Sequence, residues 1–425
     1  MTAAPRPEGL AAYCAVTAAY WAFMLTDGAL RMLVLLHFHS LGFSPVQLAW
    51  LFLLYEAAGV VTNLSAGWIA ARFGLTATLY AGLVLQIGAL LALAALDPGW
   101  AMAASVGFVM AVQGVSGVAK DLAKMSSKSA VKLLAPAGEK GALFRWVALL
   151  TGSKNAVKGL GFLLGTLLLG TAGFTGSVLA MAAALAAILA AVAVLMPPGL
   201  PRGGRGARFG EVFSRDRNVN RLSAARLFLF GARDTWFVVG IPVYFYSVLS
   251  DGSEAGNRAA FFQIGAFMAC WIIGYGAVQA AAPRLLRAKA RSVAEIARQA
   301  RLWVGLLTLV PAALALAAWA AGGPAGWLTA VLVAGLLLFG AVFAVNSSLH
   351  SYLILAFSSA GRVTMDVGFY YMSNALGRLL GTLLSGLSYQ AGGLALCLAA
   401  AAAMAGLSWL CAGRLARAPG LAATG

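Results

Sequence analysis

The stretch TGSKNAVKGLGFLLGTLL, Thr151 to Leu168, decides how the chain is read. It is apolar enough to cross a bilayer, yet it carries Lys154 and Lys158. It ends in the hexapeptide LLGTLL at Leu163–Leu168, which returns at Leu379–Leu384. At 1.5 Å per residue the two lysines fall about 18 to 24 Å along the segment, near the middle of a hydrocarbon core about 30 Å thick. A cation at that depth costs roughly 2.5–3.5 kcal/mol on insertion scales, so it is expected to face a cavity or a partner rather than lipid. A spacing of four puts both lysines on one helix face.

The rest of the chain has the same character. Its 425 residues are 61% hydrophobic and 10% charged, with 50 glycines, which excludes a soluble globular domain and indicates a polytopic membrane protein. The polar start MTAAPRPEG is followed by an apolar run from Leu10 to about Phe38, too long for the core of a cleavable leader, and reads as the first span. A net charge of +17 would suggest nucleic acid in a soluble protein. Here the excess lies in short loops, so it is read as topology, with a lipid bilayer and no nucleic acid as partner. Cys14, Cys270, Cys397 and Cys411 all sit in apolar runs with no metal-ligand spacing, so neither disulfides, a metal nor a cofactor is expected.

A span needs about 20 apolar residues. The sequence supplies twelve such runs, at 11–38, 45–71, 76–97, 100–122, 142–169, 174–197, 222–249, 259–282, 302–321, 325–348, 364–388 and 391–412. Loops on one side hold Arg72, the run Lys120 to Lys140, the arginines between Arg202 and Arg221, those from Arg284 to Arg301, and Arg362. The loops between them hold only Arg258. The positive-inside rule makes the first set cytoplasmic, together with Arg6, Arg414 and Arg417 and hence both termini. The Pro/Gly/Arg-rich segment PPGLPRGGRGAR, Pro197 to Arg208, reads as a linker. It divides the chain into an N-terminal bundle, 1–197, a cytoplasmic linker, 198–221, and a C-terminal bundle, 222–425.

The two parts resemble one another. Besides LLGTLL, Gly161 matches Gly377, and Phe23, Asp27 and Phe38 align without a gap on Phe230, Asp234 and Phe245. Ala111-Val112-Gln113 aligns with Ala344-Val345-Asn346. The predicted fold is therefore an all-α membrane protein of two pseudo-symmetric six-helix bundles, the plan of the major facilitator superfamily. The third helix of each three-helix unit lacks interior charge and is expected on the outside. Gly67–Gly74, GWIAARFG, has the spacing of that superfamily's cytoplasmic turn signature, although Ala71 stands at its acidic position and Leu75 and Thr76 replace its basic pair.

Interior charges define the candidate site. Depth arguments place Asp27, Arg31, Glu56, Lys154, Lys158, Arg233, Asp234 and Arg378 within the spans, five cations against three carboxylates. A cavity with that surplus favours an anionic ligand. The simplest neutralising pairs would be Asp27 with Arg31, Arg233 with Asp27, and Glu56 with Lys154 or Lys158. Lys154, Lys158, Arg233 and Arg378 are the primary candidates for holding an anion, with Arg31 and Lys120 assisting. Tyr370, Tyr371 and Asn374, one to two turns before Arg378, are candidate hydrogen-bond donors. Asp27, Glu56 and Asp234 are the candidates for proton coupling, if they are not plain counter-ions. The segment Lys120 to Leu134, KDLAKMSSKSAVKLL, reads either as a basic mouth for a phosphorylated ligand or as a positive-inside flank. His37, His39 and His350 are expected at the interfaces.

Five stretches, the last of them in two pieces, taken together resemble one branch of that superfamily. YWAFMLTDGALRMLVLLHFH at Tyr20–His39, SGVAKDLAKMSSKSAVKLL at Ser116–Leu134, GSKNAVKGLGFLLG at Gly152–Gly165, FGARDTWFVV at Phe230–Val239, and LHSYLILAF with DVGFYYMSNALGRLLGTLLSG at Leu349–Phe357 and Asp366–Gly386 are similar to the organoarsenical efflux permeases called ArsJ. The resemblance implies an antiporter or exporter of the inner membrane, acting as a monomer. It also implies efflux of 1-arseno-3-phosphoglycerate, made by glyceraldehyde-3-phosphate dehydrogenase from arsenate, and hence arsenate resistance. The residues by themselves are equally compatible with another organic-phosphate or carboxylate anion. A membrane enzyme or sensor is the reading from a different class, and the sequence carries no nucleophile, metal or nucleotide-loop constellation for it.

Overall fold

In a computed structural model of the chain, residues 7–134, 142–195, 213–286, 292–358 and 363–416 are described. They are helical almost throughout. The elements are α1 (Pro7–Ser40), α2 (Pro45–Ala94), α3 (Met102–Leu134), α4 (Ala142–Leu195), α5 (Arg217–Thr235), a π-helical turn (Trp236–Gly240), α6 (Ile241–Leu249), α7 (Glu254–Leu285), α8 (Val293–Ala321), α9 (Gly326–Phe357) and α10 (Val363–Ala416).

Local chemistry sets the boundaries. A capping box starts α2, where Gln47 N–H donates to Ser44 Oγ at 3.4 Å and Ser44 N–H to Gln47 Oε1 at 2.8 Å, with Pro45 at the first position. Ser292 and Glu295 form the same box at α8. Asp216 caps α5 by accepting from Asn218 N and Val219 N, so helix begins at Arg217 and takes in the end of the expected linker. Residues 198–212 of that linker lie outside the described set.

Ten apolar segments among the described residues are long and apolar enough to cross a membrane. The count differs from the twelve runs expected because two of them run on: Ser153–Val194 has 42 residues and Met365–Leu415 has 51. Each is broken internally where glycine allows it. Gly173 sits at φ 68° in α4, and Gly393 sits at φ 61° in α10. Helix α2 instead continues through Gly67–Gly74, where the sequence predicts a turn. With alanine at the signature's acidic position, no short polar side chain competes there for the backbone.

The duplicated hexapeptide has a packing explanation. A Cβ on Gly165 would lie 2.2 Å from the carbonyl oxygen of Ala29 on α1, and one on Gly381 would lie 2.6 Å from that of Gly231 on α5. Gly161 and Gly377 touch the Leu25 and Leu227 carbonyls in the same way. In each half, then, small residues let one helix cross the first helix at backbone contact, the usual way to bind helices in lipid. The aligned residues Phe23, Asp27 and Phe38 are buried, as are Phe230, Asp234 and Phe245.

Exposure agrees with an outer position for α8. In the most apolar window of the segment 15–40, 83% of residues are buried, as in the segment 217–249, against 33% in α8. The outward residues of α8 include Leu302, Leu306, Leu309, Leu316 and Trp319, a surface suited to hydrocarbon rather than water. The halves meet along two seams, α2 against α10 and α4 against α7.

Candidate functional site

The interior charges gather where the seams meet, in two connected groups. In the first, Glu56 of α2 is nearly inaccessible, and its Oε1 accepts from Arg31 Nη2 at 2.5 Å and from Arg378 Nη2 at 2.6 Å. Arg378 Nε reaches Asp234 Oδ2 at 3.3 Å, and Arg233 Nη2 holds Asp234 Oδ1 at 2.5 Å. Three guanidiniums thus share two carboxylates. In the second group, Asp27 accepts from Lys158 Nζ at 3.3 Å and from the Tyr55 hydroxyl at 2.5 Å. Lys120 Nζ lies 3.9 Å from the centre of the Tyr55 ring, with no carboxylate within 4 Å among the described residues. Counted with Lys120, this group holds two ammoniums and one carboxylate, which pairs with Lys158 alone. Each group therefore carries one positive charge in excess; the carboxylates are buried and the cations buried or half-buried, so Coulomb interactions there are stronger than in bulk water and unpaired charge is expensive.

The pairings expected of Asp27 with Arg31 and with Arg233 do not form, nor does that of Glu56 with Lys158. Asp27 binds Lys158 and Tyr55 rather than Arg31, whose longer side chain turns across to Glu56 on α2. Arg233 takes its sequence neighbour Asp234 instead of Asp27. Glu56 binds arginines, which can converge on one oxygen from two helices, rather than Lys158. Lys154 is half-buried, one turn before Lys158 on α4.

The other candidates lie one to two turns before Arg378 on α10. Asn374 Oδ1 accepts from Arg226 Nε at 3.1 Å, and the Tyr370 ring faces the same guanidinium at 5.0 Å. The Tyr371 ring lies 5.9 Å from Lys124 Nζ. His350, expected at an interface, is fully buried beside Arg226 because α9 packs its inner face against α5. His37 stacks on Phe174 at 4.3 Å, and His39 meets Tyr246 edge-on at 4.8 Å.

Several residues of the site escaped the sequence reading. Arg226 lies inside the run 222–249 and belonged in the census of interior charge, but its place near the start of that run hides it among the loop arginines. Asp121 likewise sits at the end of its run. It accepts from Thr62 Oγ1 at 2.5 Å, Asn63 Nδ2 at 3.2 Å and Lys124 Nζ at 2.6 Å, pinning α3 to α2. Tyr55 carries no signal beyond adjacency to Glu56. Across the second seam Asn155 Nδ2 donates to Gln279 Oε1 at 3.4 Å, and Gln279 Nε2 to Ser347 Oγ at 3.3 Å.

No group of three or more His, Cys, Asp or Glu among the described residues is placed to hold a metal ion. A crevice of about 330 Å³ opens between α4 and α7, lined by Thr166, Leu167, Gly170, Thr171, Arg258 and Phe262. It begins about 12 Å along α4 from Lys158 and contains none of the clustered charges. The charge groups, not the crevice, are the candidate site.

The model of the Major Facilitator Superfamily matches residues 14–364. No curated protein matches. Among solved structures, a mutant of the nucleoside transporter NupG is similar at a TM-score of 0.66 and 16% identity, over 95% of this chain and 98% of that one. A bacterial homologue of the iron transporter ferroportin in an inward-facing state gives a TM-score of 0.68 at 13% identity, over 96% and 99%. A POT family transporter in complex with a thioalcohol-conjugated peptide gives 0.68 at 14%, over 94% of each. At these identities the similarity concerns the fold alone.

Proposed function

The chain belongs to the major facilitator superfamily, and from that premise we propose that it is a secondary efflux transporter for an organic anion with more than one negative charge, most specifically 1-arseno-3-phosphoglycerate. The observation that carries the anion is the pair of buried charge groups, each with one cation in excess. The arsenic comes from the resemblance of the five stretches to the organoarsenical permeases. Export of that ester would confer arsenate resistance in functional partnership with glyceraldehyde-3-phosphate dehydrogenase.

The architecture proposed is two six-helix bundles in the inner membrane. The glycine breaks in α4 and α10 divide each into two crossings, which brings the ten segments to twelve. Both termini then lie in the cytoplasm and the protein acts as a monomer. Transport proceeds by alternating access around a site between the halves. Lys154, Lys158, Arg31, Arg233, Arg378 and Lys120 balance the substrate's charge. Tyr370, Tyr371 and Asn374 line its path, and Asp27, Glu56 or Asp234 takes up the proton that is exchanged.

Everted membrane vesicles supplied with arsenate, glyceraldehyde-3-phosphate and the dehydrogenase test this. Arsenic is expected to accumulate inside them, and the double variant Lys154→Ala, Lys158→Ala is expected to abolish accumulation. Absence of arsenic uptake by the unaltered protein, or normal uptake by the variant, would overturn the reading. Uptake of arsenic-free sugar phosphates or carboxylates under the same conditions would instead favour a general organic-anion carrier, which the same excess charge also suits.

A further inference from the structure

Outside the two charge groups, Arg226 on α5 is a buried guanidinium without a counter-ion. It is 4% exposed, and no carboxylate lies within 4 Å of it among the described residues. Its fixed contacts are neutral. Nε donates to Asn374 Oδ1 at 3.1 Å, and Nη1 donates to the Ser347 hydroxyl at 2.9 Å and the Ser347 carbonyl at 3.3 Å. The rings of Phe230 and Tyr370 face it at 4.0 and 5.0 Å. Neutral acceptors and ring faces offset part of the desolvation cost of a cation but leave its charge unbalanced. Nη2 makes no hydrogen bond among the described residues, although a guanidinium has donors for five.

His350 supplies the second observation. It is 0% exposed, neither ring nitrogen has a hydrogen-bond partner, and it lies one turn along α9 from Ser347, the residue that accepts from Arg226 Nη1. Buried polar groups are as a rule hydrogen-bonded, so an imidazole with both nitrogens unpartnered near a guanidinium without a counter-ion points to a ligand that binds both. Arg226 brings an uncompensated charge and an unused donor, and the imidazole brings one N–H beside it, a combination that suits an oxyanion.

The position relative to the first charge group matters too. Arg226 and Arg233 flank the same ring, Phe230, at 4.0 and 4.8 Å, and Asn374 lies one turn of α10 from Arg378. Arg226 therefore extends the cationic surface of the C-terminal half away from the Glu56–Arg378 contact. Before the linker, Lys120 over Tyr55 is another buried cation with no carboxylate within 4 Å among the described residues.

We propose that Arg226 Nη2 and the His350 imidazole form a second anion pole, which takes one terminal carboxylate or phosphoryl group of a linear substrate while Lys120 and Lys158 take the other end. This rests on the organic-anion reading above. It adds that the protein selects anions with an oxyanion at each end over anions with one.

The test is titration calorimetry on the purified full chain in detergent with 3-phosphoglycerate and succinate as two-ended probes, and inorganic phosphate and acetate as one-ended ones. Arg226→Gln and Lys158→Gln are each expected to weaken 3-phosphoglycerate binding by about tenfold or more, the worth of a charge-assisted contact. Inorganic phosphate, which fills one pole, should be weakened by no more than one of the two variants. His350→Phe should weaken 3-phosphoglycerate severalfold. The proposal is overturned if Arg226→Gln binds 3-phosphoglycerate within twofold of the unaltered protein, or if both variants weaken one-ended and two-ended probes by the same factor. If Arg226→Gln fails to elute as a single species, Arg226→Lys keeps the charge and loses the fork. Unchanged affinity in that variant overturns the proposal equally. An unaltered protein that binds succinate but not 3-phosphoglycerate would remove the organic-phosphate reading, and the same variants would then decide the pole on succinate. Binding of neither two-ended probe overturns both.

Discussion

Phe23 and Asp27 of α1 align with Phe230 and Asp234 of α5, and the two carboxylates pair with different cations on two different helices. Asp27 of α1 pairs with Lys158 on α4, whereas Asp234 of α5 pairs with Arg378 on α10. By the LLGTLL alignment Lys158 corresponds to Asn374, so the cation has moved by one helical turn between the halves. The move has a consequence. Lys158 is a point charge that serves its own half, while the Arg378 fork reaches both Asp234 and, across the seam, Glu56. The N-terminal half carries the pair that is complete within itself, and the C-terminal half carries the cation that ties the two together.

The largest effect should come from Glu56→Gln, which strips the carboxylate that Arg31 and Arg378 share. Breaking a buried pair by removing one partner costs about 3–5 kcal/mol, so thermal unfolding in detergent should drop by many degrees. An unchanged midpoint would mean that the two arginines find other acceptors. Gly165→Val and Gly381→Val come next, since each drives a side chain into facing backbone. Overpacking costs about 1–3 kcal/mol or more, and the two should lose folded yield alike. A loss confined to one would show that the repeated contact is not equivalent in the two halves.

Arg378→Lys and Lys158→Arg probe the difference itself. Arg378→Lys should cut transport in vesicles by about tenfold, because a point charge cannot hold Glu56 and Asp234 together. Lys158→Arg should retain most transport, and equal losses would erase the distinction. At the small end, Arg258→Ala removes the exposed ion pair with Glu254 and should shift stability by less than about 1 kcal/mol.

Much of this was legible from residue order. The repeated glycines, the buried Asp27 and Asp234, and the outward α8 follow from periodicity and the cost of charge in lipid. The pairings were not legible, because reach across a seam depends on which rotamer a long side chain adopts among several carboxylates within its radius. Glu56 and Arg31 stand 25 residues apart, and Glu56 and Arg378 stand 322 apart. Nothing local links them. Arg226 shows a different limit: a cation near the start of a span reads as a snorkelling flank unless the neighbours that bury it, here Phe230, Tyr370 and Ser347, are known. The π-helical turn at Trp236–Gly240 had no sequence cue either. It frees the Val239 and Gly240 N–H groups to donate to Ser385 Oγ, each at 3.1 Å.

The single oxygen of Glu56 that accepts both arginines sets the electrostatic work of opening. When α2 and α10 separate, Arg31 leaves with Glu56, and the opposite wall is left with Arg233 and Arg378 on Asp234 alone. Parting the halves is therefore a charge separation, uphill in a medium of low dielectric. In the anion transport proposed above, a substrate held in the gap replaces the departing carboxylate and lowers that work, which makes the proposed cargo also the counter-ion of the moving parts. The unloaded protein should keep this seam closed, and a cysteine placed at Ala375, which faces Gly59 across it, should gain reactivity toward a soluble thiol reagent only when a transported anion is present.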